Sequence, residues 1–306
     1  MLLAANPGNP ATCLSVSQPG EVAPGTPTCG PFGENGVYTT RTGQVINGTR
    51  APFGNAIGSD AYFDAMGNSN YNALQVSLQH TSDRLSVLAG YTYSKSLDQS
   101  SNIGEQVYPY NYQLTKAISA FDMTHNFVAS YRYELPVDEL FHRKGRLTQG
   151  WAISGITRFS TGLPVTFFSY GDNSLIGSQN QGVNGIGSDE PNYTHGPLNL
   201  NSNPRNGRVY FNTSLFSIPA LGKPGTADRR FFYGPGINNF DLALLKDLRL
   251  SESKTLEIRI ESFNTFNHAQ FYGPTAVDGN INSQTFGTVV SAAAPRILQV
   301  AAKFYF

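Results

Sequence analysis

From Tyr71 onward the chain alternates apolar and polar residues with a period of two. In YNALQVSLQH, Leu74, Val76 and Leu78 interleave with Gln75, Ser77 and Gln79. A short turn at Thr81 to Asp83 leads into RLSVLAGYTYSKS, which sets Leu85, Val87, Ala89, Tyr91 and Tyr93 against Ser86, Gly90, Thr92 and Ser94. Successive side chains of a strand point to opposite faces, so these runs predict a hairpin with one apolar face. In DMTHNFVASYRYEL, Phe127, Ala129, Tyr131 and Tyr133 oppose Asn126, Ser130, Arg132 and Glu134. WAISGITRFS sets Trp151, Ile153 and Phe159 against Ser154, Arg158 and Ser160, and is expected to run on through TGLPVTFF after a kink at Gly162 and Pro164. Asn239 to Leu250 places Phe240, Leu242, Leu244, Leu248 and Leu250 on one face, with Lys246 as a charged exception. That lysine is expected either to snorkel to an interface or to mark a bulge that shifts the register. After the tight turn SESK, Leu256, Ile258 and Ile260 alternate with Glu257, Arg259 and Glu261. The phase breaks near Phe263 and Asn264, where a bulge is expected. The last run, RILQVAAKFYF, puts Leu298, Val300, Ala302, Phe304 and Phe306 on one face. Residues 1–70 are rich in Gly, Pro, Asn and Thr and predict mostly loop, with one short strand near Gly36 to Val45.

This reading gives about seven strands, and the connections between them sort by length. Short turns alternate with long, polar loops at about Leu97 to Phe121, Ser169 to Asn238 and His268 to Pro295. A soluble sandwich has no reason to sort its loops this way. A transmembrane barrel has, with short periplasmic turns and long external loops. The predicted fold class is therefore all-β, an antiparallel transmembrane β-barrel segment covering residues 71–306, with residues 1–70 mostly extracellular loop. Tyr91, Tyr93, Tyr131, Tyr133 and Trp151 are candidates for an aromatic girdle at a membrane–water interface.

Composition supports this picture. Charged residues make up only 14% of the 306 positions, while Tyr and Phe number 16 and 20. Mean hydropathy is −0.27, and no stretch approaches the roughly 18 apolar residues of a membrane helix. The net charge of zero, from 21 basic and 21 acidic residues, argues against nucleic acid as a partner, because phosphate binding needs a basic surface. MLLAANPGNP has neither the basic n-region nor the apolar h-region of a secretion signal. Either the protein is cytosolic or its beginning lies further upstream. An odd strand count favours the second, since single-chain bacterial barrels normally have an even number. The expectation is the C-terminal portion of a larger protein. Cys13 and Cys29 lie close together in a Pro/Gly-rich stretch, compatible with a disulfide loop or with two unpaired thiols. Two thiols with no nearby histidine are too few for a zinc site.

Several phrases resemble a known family: NYNALQVSLQH, LAGYTYSKSLD, FDMTHNFVASYRYELP, GWAISGITRFSTGLPVTF, INNFDLALLKDLRL, RIESFNTFNHAQF and the terminal AAKFYF. They resemble the C-terminal barrel of Oar-like TonB-dependent outer-membrane receptors, in which a carboxypeptidase-regulatory-like domain precedes a plug and a barrel of about 22 strands. The terminal strand ending on Phe306 is similar to the signal by which bacterial barrels are recognised for insertion. The resemblance covers Tyr71 to Phe306. It implies residence in the bacterial outer membrane and energised uptake of a bulky nutrient such as a siderophore, glycan or peptide. The implied partners are outer-membrane lipid, the plug and remaining strands of the same receptor, and TonB through that other region. Plug and TonB box are absent from these residues, which puts transport by this chain alone in doubt. A stand-alone surface β protein, an adhesin or binding module, is the rival reading.

No catalytic motif is present, and neither enzyme activity nor a cofactor is expected. His80, His125, His142, His195 and His268 are scattered, and there is no HExxH, GxSxG, Walker A or GxGxxG. Glu257, Arg259 and Glu261 read as alternating lumen-face charges. Asp172, Asp189 and Glu190 match no EF-hand spacing, and calcium at that loop is a minor alternative.

Overall fold

The computed structural model describes residues 65–102, 105, 108, 111–169, 174, 189–220, 223–273 and 275–306, and the backbone of four short strands before them. Those four are β1 (Leu2–Ala4), β2 (Val37–Thr39), β3 (Val45–Asn47) and β4 (Ala61–Phe63). They form two small antiparallel pairs, β1 with β4 and β2 with β3. Where the sequence offered one short strand near Gly36 to Val45, the backbone makes two paired strands, β2 and β3, the second of which runs past it.

The remaining strands are β5 (Ser69–Thr81), β6 (Leu85–Asp98), β7 (Ala117–Ile118), β8 (His125–Glu134), β9 (Trp151–Ser160), β10 (Asn192–Tyr193), β11 (Phe216–Ser217), β12 (Ile237–Arg249), β13 (Thr255–Phe263) and β14 (Ile297–Tyr305). Seven of them are long and pair in chain order as an antiparallel meander, β5-β6-β8-β9-β12-β13-β14, with the short β7 added to β6. The shortest of the seven have 9 residues, which is enough for a tilted strand to cross a bilayer. All seven strands read from the sequence are present. Among the described residues the sheet is open, and the outer sides of β5 and β14 have no strand partner.

Register turns the separate alternations into one continuous face. Leu74 opposes Tyr93, and Tyr93 opposes His125. Tyr131 opposes Gly155, which opposes Leu242. Ile153 opposes Leu244, then Ile260, then Val300. Leu256 opposes Phe304. Directly opposed residues lie on the same side of a sheet, so the apolar sets of all seven strands share one side.

That side is uncovered. Leu78, Leu298 and Val300 keep 63%, 68% and 74% of their surface. In the long strands the buried apolar residues are Ala152, Ile237 and Leu245, and all three lie on the polar side. An exposed apolar face this extensive would drive aggregation in water and is the natural surface to present to lipid.

The connections divide as the sequence predicted. Those at 82–84, 135–150 and 250–254 lie at one end of the sheet, and those at 99–124, 161–236 and 264–296 lie at the other. Two details differ, and a third decides between two alternatives that the sequence left open. First, β9 stops at Ser160 and does not continue through TGLPVTFF. A Cβ on Gly162 would meet the carbonyl oxygen of Gly234 at 2.1 Å, so the chain leaves the sheet there and passes tightly against the far end of the same connection. Second, no bulge interrupts β13. Its pairing with β14 is continuous to Phe263 opposite Ile297, and Asn264 then adopts a left-handed φ of 50° that ends the strand. Asparagine tolerates this conformation, and here its side chain accepts from the amide of His268 at 3.0 Å and donates to that residue's carbonyl at 2.8 Å. Third, the register runs through Lys246 unbroken, opposite Trp151 and Ile258. No bulge relieves its charge. Instead its Nζ reaches the carbonyls of Leu147, at 3.2 Å, and of Gln149 in the short connection, and lies 4.9 Å from the Trp151 ring centroid. This is snorkelling toward the short-turn interface.

The only apolar cluster of fully buried residues among those described lies in the long connections. Val165, Phe167, Tyr210, Phe211, Phe216, Phe232 and Val277 form it, with Tyr193, Phe231 and Phe286 packed against them. Phe167 stacks on Phe216 at 4.7 Å between centroids and meets Phe211 edge-on at 5.5 Å. The described residues of the stretch predicted as a very long loop thus belong to a cap with its own core.

Candidate functional site

Two surfaces carry chemistry: the polar side of the wall and the cap at its long-connection end. On the polar side the alternating charges of β13 pair among themselves. Arg259 lies 3.0 Å from Glu261 and 3.9 Å from Glu257, and Arg132 on β8 reaches Asp247 on β12 at 3.5 Å. Toward the short turns Arg132 and Asp247 border a depression of about 540 Å³, which Arg84, Arg146 and Arg249 line together with Glu134 and Asp138. The charges nearly balance, so this side reads as a wetted wall and not as a site for one strongly charged ligand.

The cap is fastened to the wall by buried ions. Glu105 bridges two guanidinium groups, pairing through one oxygen with Arg229 and through the other with Arg230. Arg229 also reaches Asp98, the last residue of β6, at 3.2 Å. All four side chains are at most 5% exposed. Burial alone would push the Glu105 carboxyl up, but Arg229 and Arg230 together outweigh it and hold it below the usual carboxylate range. Burial lowers the Arg230 guanidinium from its ordinary value, with Glu105 opposing that shift. Arg230 completes its shell with Thr166 Oγ1 at 2.8 Å and Ser101 Oγ at 3.3 Å.

A second junction centres on Tyr233. Its hydroxyl donates to Asp122 at 2.5 Å and accepts from Lys95 Nζ at 2.7 Å and Thr124 Oγ1 at 2.8 Å. Burial first, then the Asp122 carboxylate, pushes this phenol up to about 12, so it stays a neutral donor. Both junctions join a long connection to the top of β6. The three long connections meet around a cavity of about 530 Å³.

The residues singled out from sequence fall as follows. Tyr91, Tyr93, Tyr131, Tyr133 and Trp151 all lie on the apolar side, but at two levels. Tyr133 and Trp151, with Tyr131 one step further in, lie toward the short turns, where Tyr133 opposes Leu85 and Trp151 opposes Lys246. Tyr91 and Tyr93 lie toward the cap, flanking His125, whose Nδ1 is 2.7 Å from the Tyr91 hydroxyl. Leu298, Val300, Ala302 and Phe304 line one side of the outermost strand, and Phe304 stacks on Phe306. Cys13 and Cys29 lie outside the described residues, as does Asp172. Asp189 is occupied by Ser174, accepting from its amide at 2.9 Å and its hydroxyl at 2.5 Å. No group of three or more His, Cys, Asp or Glu residues able to hold a metal occurs among the described residues. Arg229, Arg230, Glu105 and Tyr233 escaped sequence reading. The one available signal was the run RRFFY, two adjacent arginines before three aromatics in a chain poor in charge.

An open meander of spanning strands, apolar on one side, polar on the other and capped by long connections at one end, is the wall of a transmembrane β-barrel. Comparison with known families agrees: residues 5–299 match the family described as an outer membrane beta barrel domain. The chain belongs to that family, and its location is the bacterial outer membrane. No curated protein matches it, and no solved structure does.

Proposed function

We propose that this barrel protein works as part of a TonB-dependent receptor that takes up a bulky nutrient such as a siderophore, glycan or peptide. The observation that carries this reading is the gathering of described residues of all three long connections into one cap at a single end of the wall, with an ion latch between the first two. A barrel that served only as an anchor would not need a cap with its own aromatic core. The resemblance of the strand sequences to Oar-like receptors supports the same reading. The apolar side meets outer-membrane lipid. The open edges of β5 and β14 pair with further strands of the receptor, because a strand edge in lipid leaves backbone groups unsatisfied. The plug and TonB act through regions outside these strands. The role is binding and passage and not catalysis, with Glu257, Arg259 and Glu261 as lumen charges.

Deletion of the gene, and separately of TonB, in the source bacterium tests this. Uptake of labelled ferric siderophores, oligosaccharides and peptides is scored in intact cells. One class of nutrient should lose uptake in both deletions. Uptake that survives loss of TonB overturns the energised mechanism. Lost surface binding with every uptake intact points instead to a surface-binding protein.

A further inference from the structure

We propose that the cavity where the three long connections meet is a binding site for a neutral, mainly apolar small molecule carrying hydroxyl or amide groups. Its volume, about 530 Å³, falls within the range of small-molecule sites, roughly 300–1,000 Å³. Ala120, Phe168, Val277 and Val290 supply apolar wall, and Asn102 and Thr275 supply polar edge. A mainly apolar lining with a few placed polar groups is the usual make-up of such sites.

The charges decide the ligand class. Arg230 lines the cavity, yet its guanidinium is already engaged by Glu105, Thr166 and Ser101. It offers no free positive charge to an incoming anion. Asp278 also lines the cavity. Its oxygens accept from the amide of Asn280 at 2.9 Å and from the Thr285 hydroxyl at 2.6 Å. It puts a carboxyl group in the cavity wall. An anion would shed its water with no cation to replace it and with Asp278 nearby.

The site is also built from separate parts of the chain. Ala120 comes from the first long connection, Thr166 and Arg230 from the second, and Val277 and Val290 from the third. Gly279 permits the approach: a Cβ there would lie 1.8 Å from the carbonyl oxygen of Thr166. Occupancy would therefore bear on all three connections at once. The site stands on the cavity alone and holds whether or not uptake is driven by TonB.

The test uses full-length protein purified from outer membranes and placed in lipid nanodiscs, with empty nanodiscs subtracted. Two fluorescent probes of similar shape are titrated, neutral N-phenylnaphthylamine and anionic anilinonaphthalenesulfonate. Val290→Trp and Ala120→Trp fill the cavity from different connections, and heat-modifiable mobility on gels reports that each variant is folded. The neutral probe should bind saturably at one site per chain, about tenfold or more tighter than the anionic one. Both tryptophan variants should abolish that binding, and Asp278→Asn should narrow the gap between the probes. Absence of saturable binding, binding unchanged in a folded filling variant, or preference for the anion overturns the proposal. The assay involves no transport, so its failure leaves the uptake reading untouched, and the reverse also holds.

Discussion

Replacing Glu105 with glutamine should loosen the cap while leaving the wall intact. The carboxylate bridges Arg229 and Arg230, and all three side chains are nearly inaccessible. In the variant, Asp98 remains to face Arg229 at 3.2 Å, but Arg230 keeps only neutral partners, Thr166, Ser101 and the new amide. One buried positive charge is left without a counter-ion, which costs about 3–5 kcal/mol when one partner of a buried pair is removed. The cost falls on the closed cap, because opening it lets water reach Arg230. The population of the opened cap should therefore rise by on the order of a hundredfold or more. Hydrogen exchange reads this at specific amides. Phe167 N–H donates to the Arg229 carbonyl at 2.8 Å, Val165 N–H to that of Phe232 at 3.0 Å and Ile118 N–H to that of Arg230 at 3.3 Å. Protection at these three should fall together, while amides within β8, β9 and β12 keep theirs. Adding Arg230→Gln to Glu105→Gln removes the orphaned charge and should restore part of the protection. Exchange at Phe167 and Val165 changing less than about tenfold in Glu105→Gln would refute the argument, as would equal loss throughout the sheet. Acid should act on the same latch: the Glu105 carboxyl is held low in the closed cap, so its contribution is complete at neutral pH and lost only as pH falls below the usual carboxylate range.

Three further outcomes follow from the geometry. Val300→Arg places a charge on the lipid side of β14 and should lower folding stability in vesicles by about 2–4 kcal/mol if mid-bilayer, whereas Gln299→Arg on the opposite side should cost far less; equal effects in denaturant titrations would reverse the assignment of sides. Gly155→Ala should destabilise the wall by about 1–3 kcal/mol in the same titrations, because the added Cβ would meet the Tyr131 hydroxyl at 2.8 Å and the Asp241 carbonyl at 2.9 Å. Burial first, then the neighbouring Asp189, pushes the Glu190 carboxyl up to about 8, so the cap near it should lose stability as pH rises through the ordinary carboxylate range toward that value. Infrared spectroscopy at neutral pH should then show a protonated carboxyl band that Glu190→Gln lacks, and a band already absent from the parent protein would contradict the shift.

The strands were legible because their physics is local. A strand that divides lipid from water must alternate, and seven such alternations stand in the sequence from Leu74 to Phe304. The sorting of connections by length was equally visible, and it set which end of each strand faces which side. Lys246 showed the limit: its sequence position allowed either a bulge or snorkelling, and only the carbonyls of Leu147 and Gln149 decided between them. The cap was not legible. Val165 and Phe167 carry the same alternation as β9 and read as its continuation, yet they bury into the cluster with Phe211 and Phe232. Irregular backbone has no repeat to betray which residues point inward. Glu105 meets Arg229 and Arg230 across separations of 124 and 125 residues, and no local pattern announces a pairing so distant.

The sequence by itself therefore determined the class of wall, its two chemically distinct sides and its polarity across the membrane, since each follows from contacts with solvent or lipid that every residue makes on its own. Only the tertiary structure decided that the long connections form one latched body with a core and a cavity. That body exists through contacts between residues far apart in the chain, and their free energy depends on which charges and rings are brought together and not on the order in which they occur.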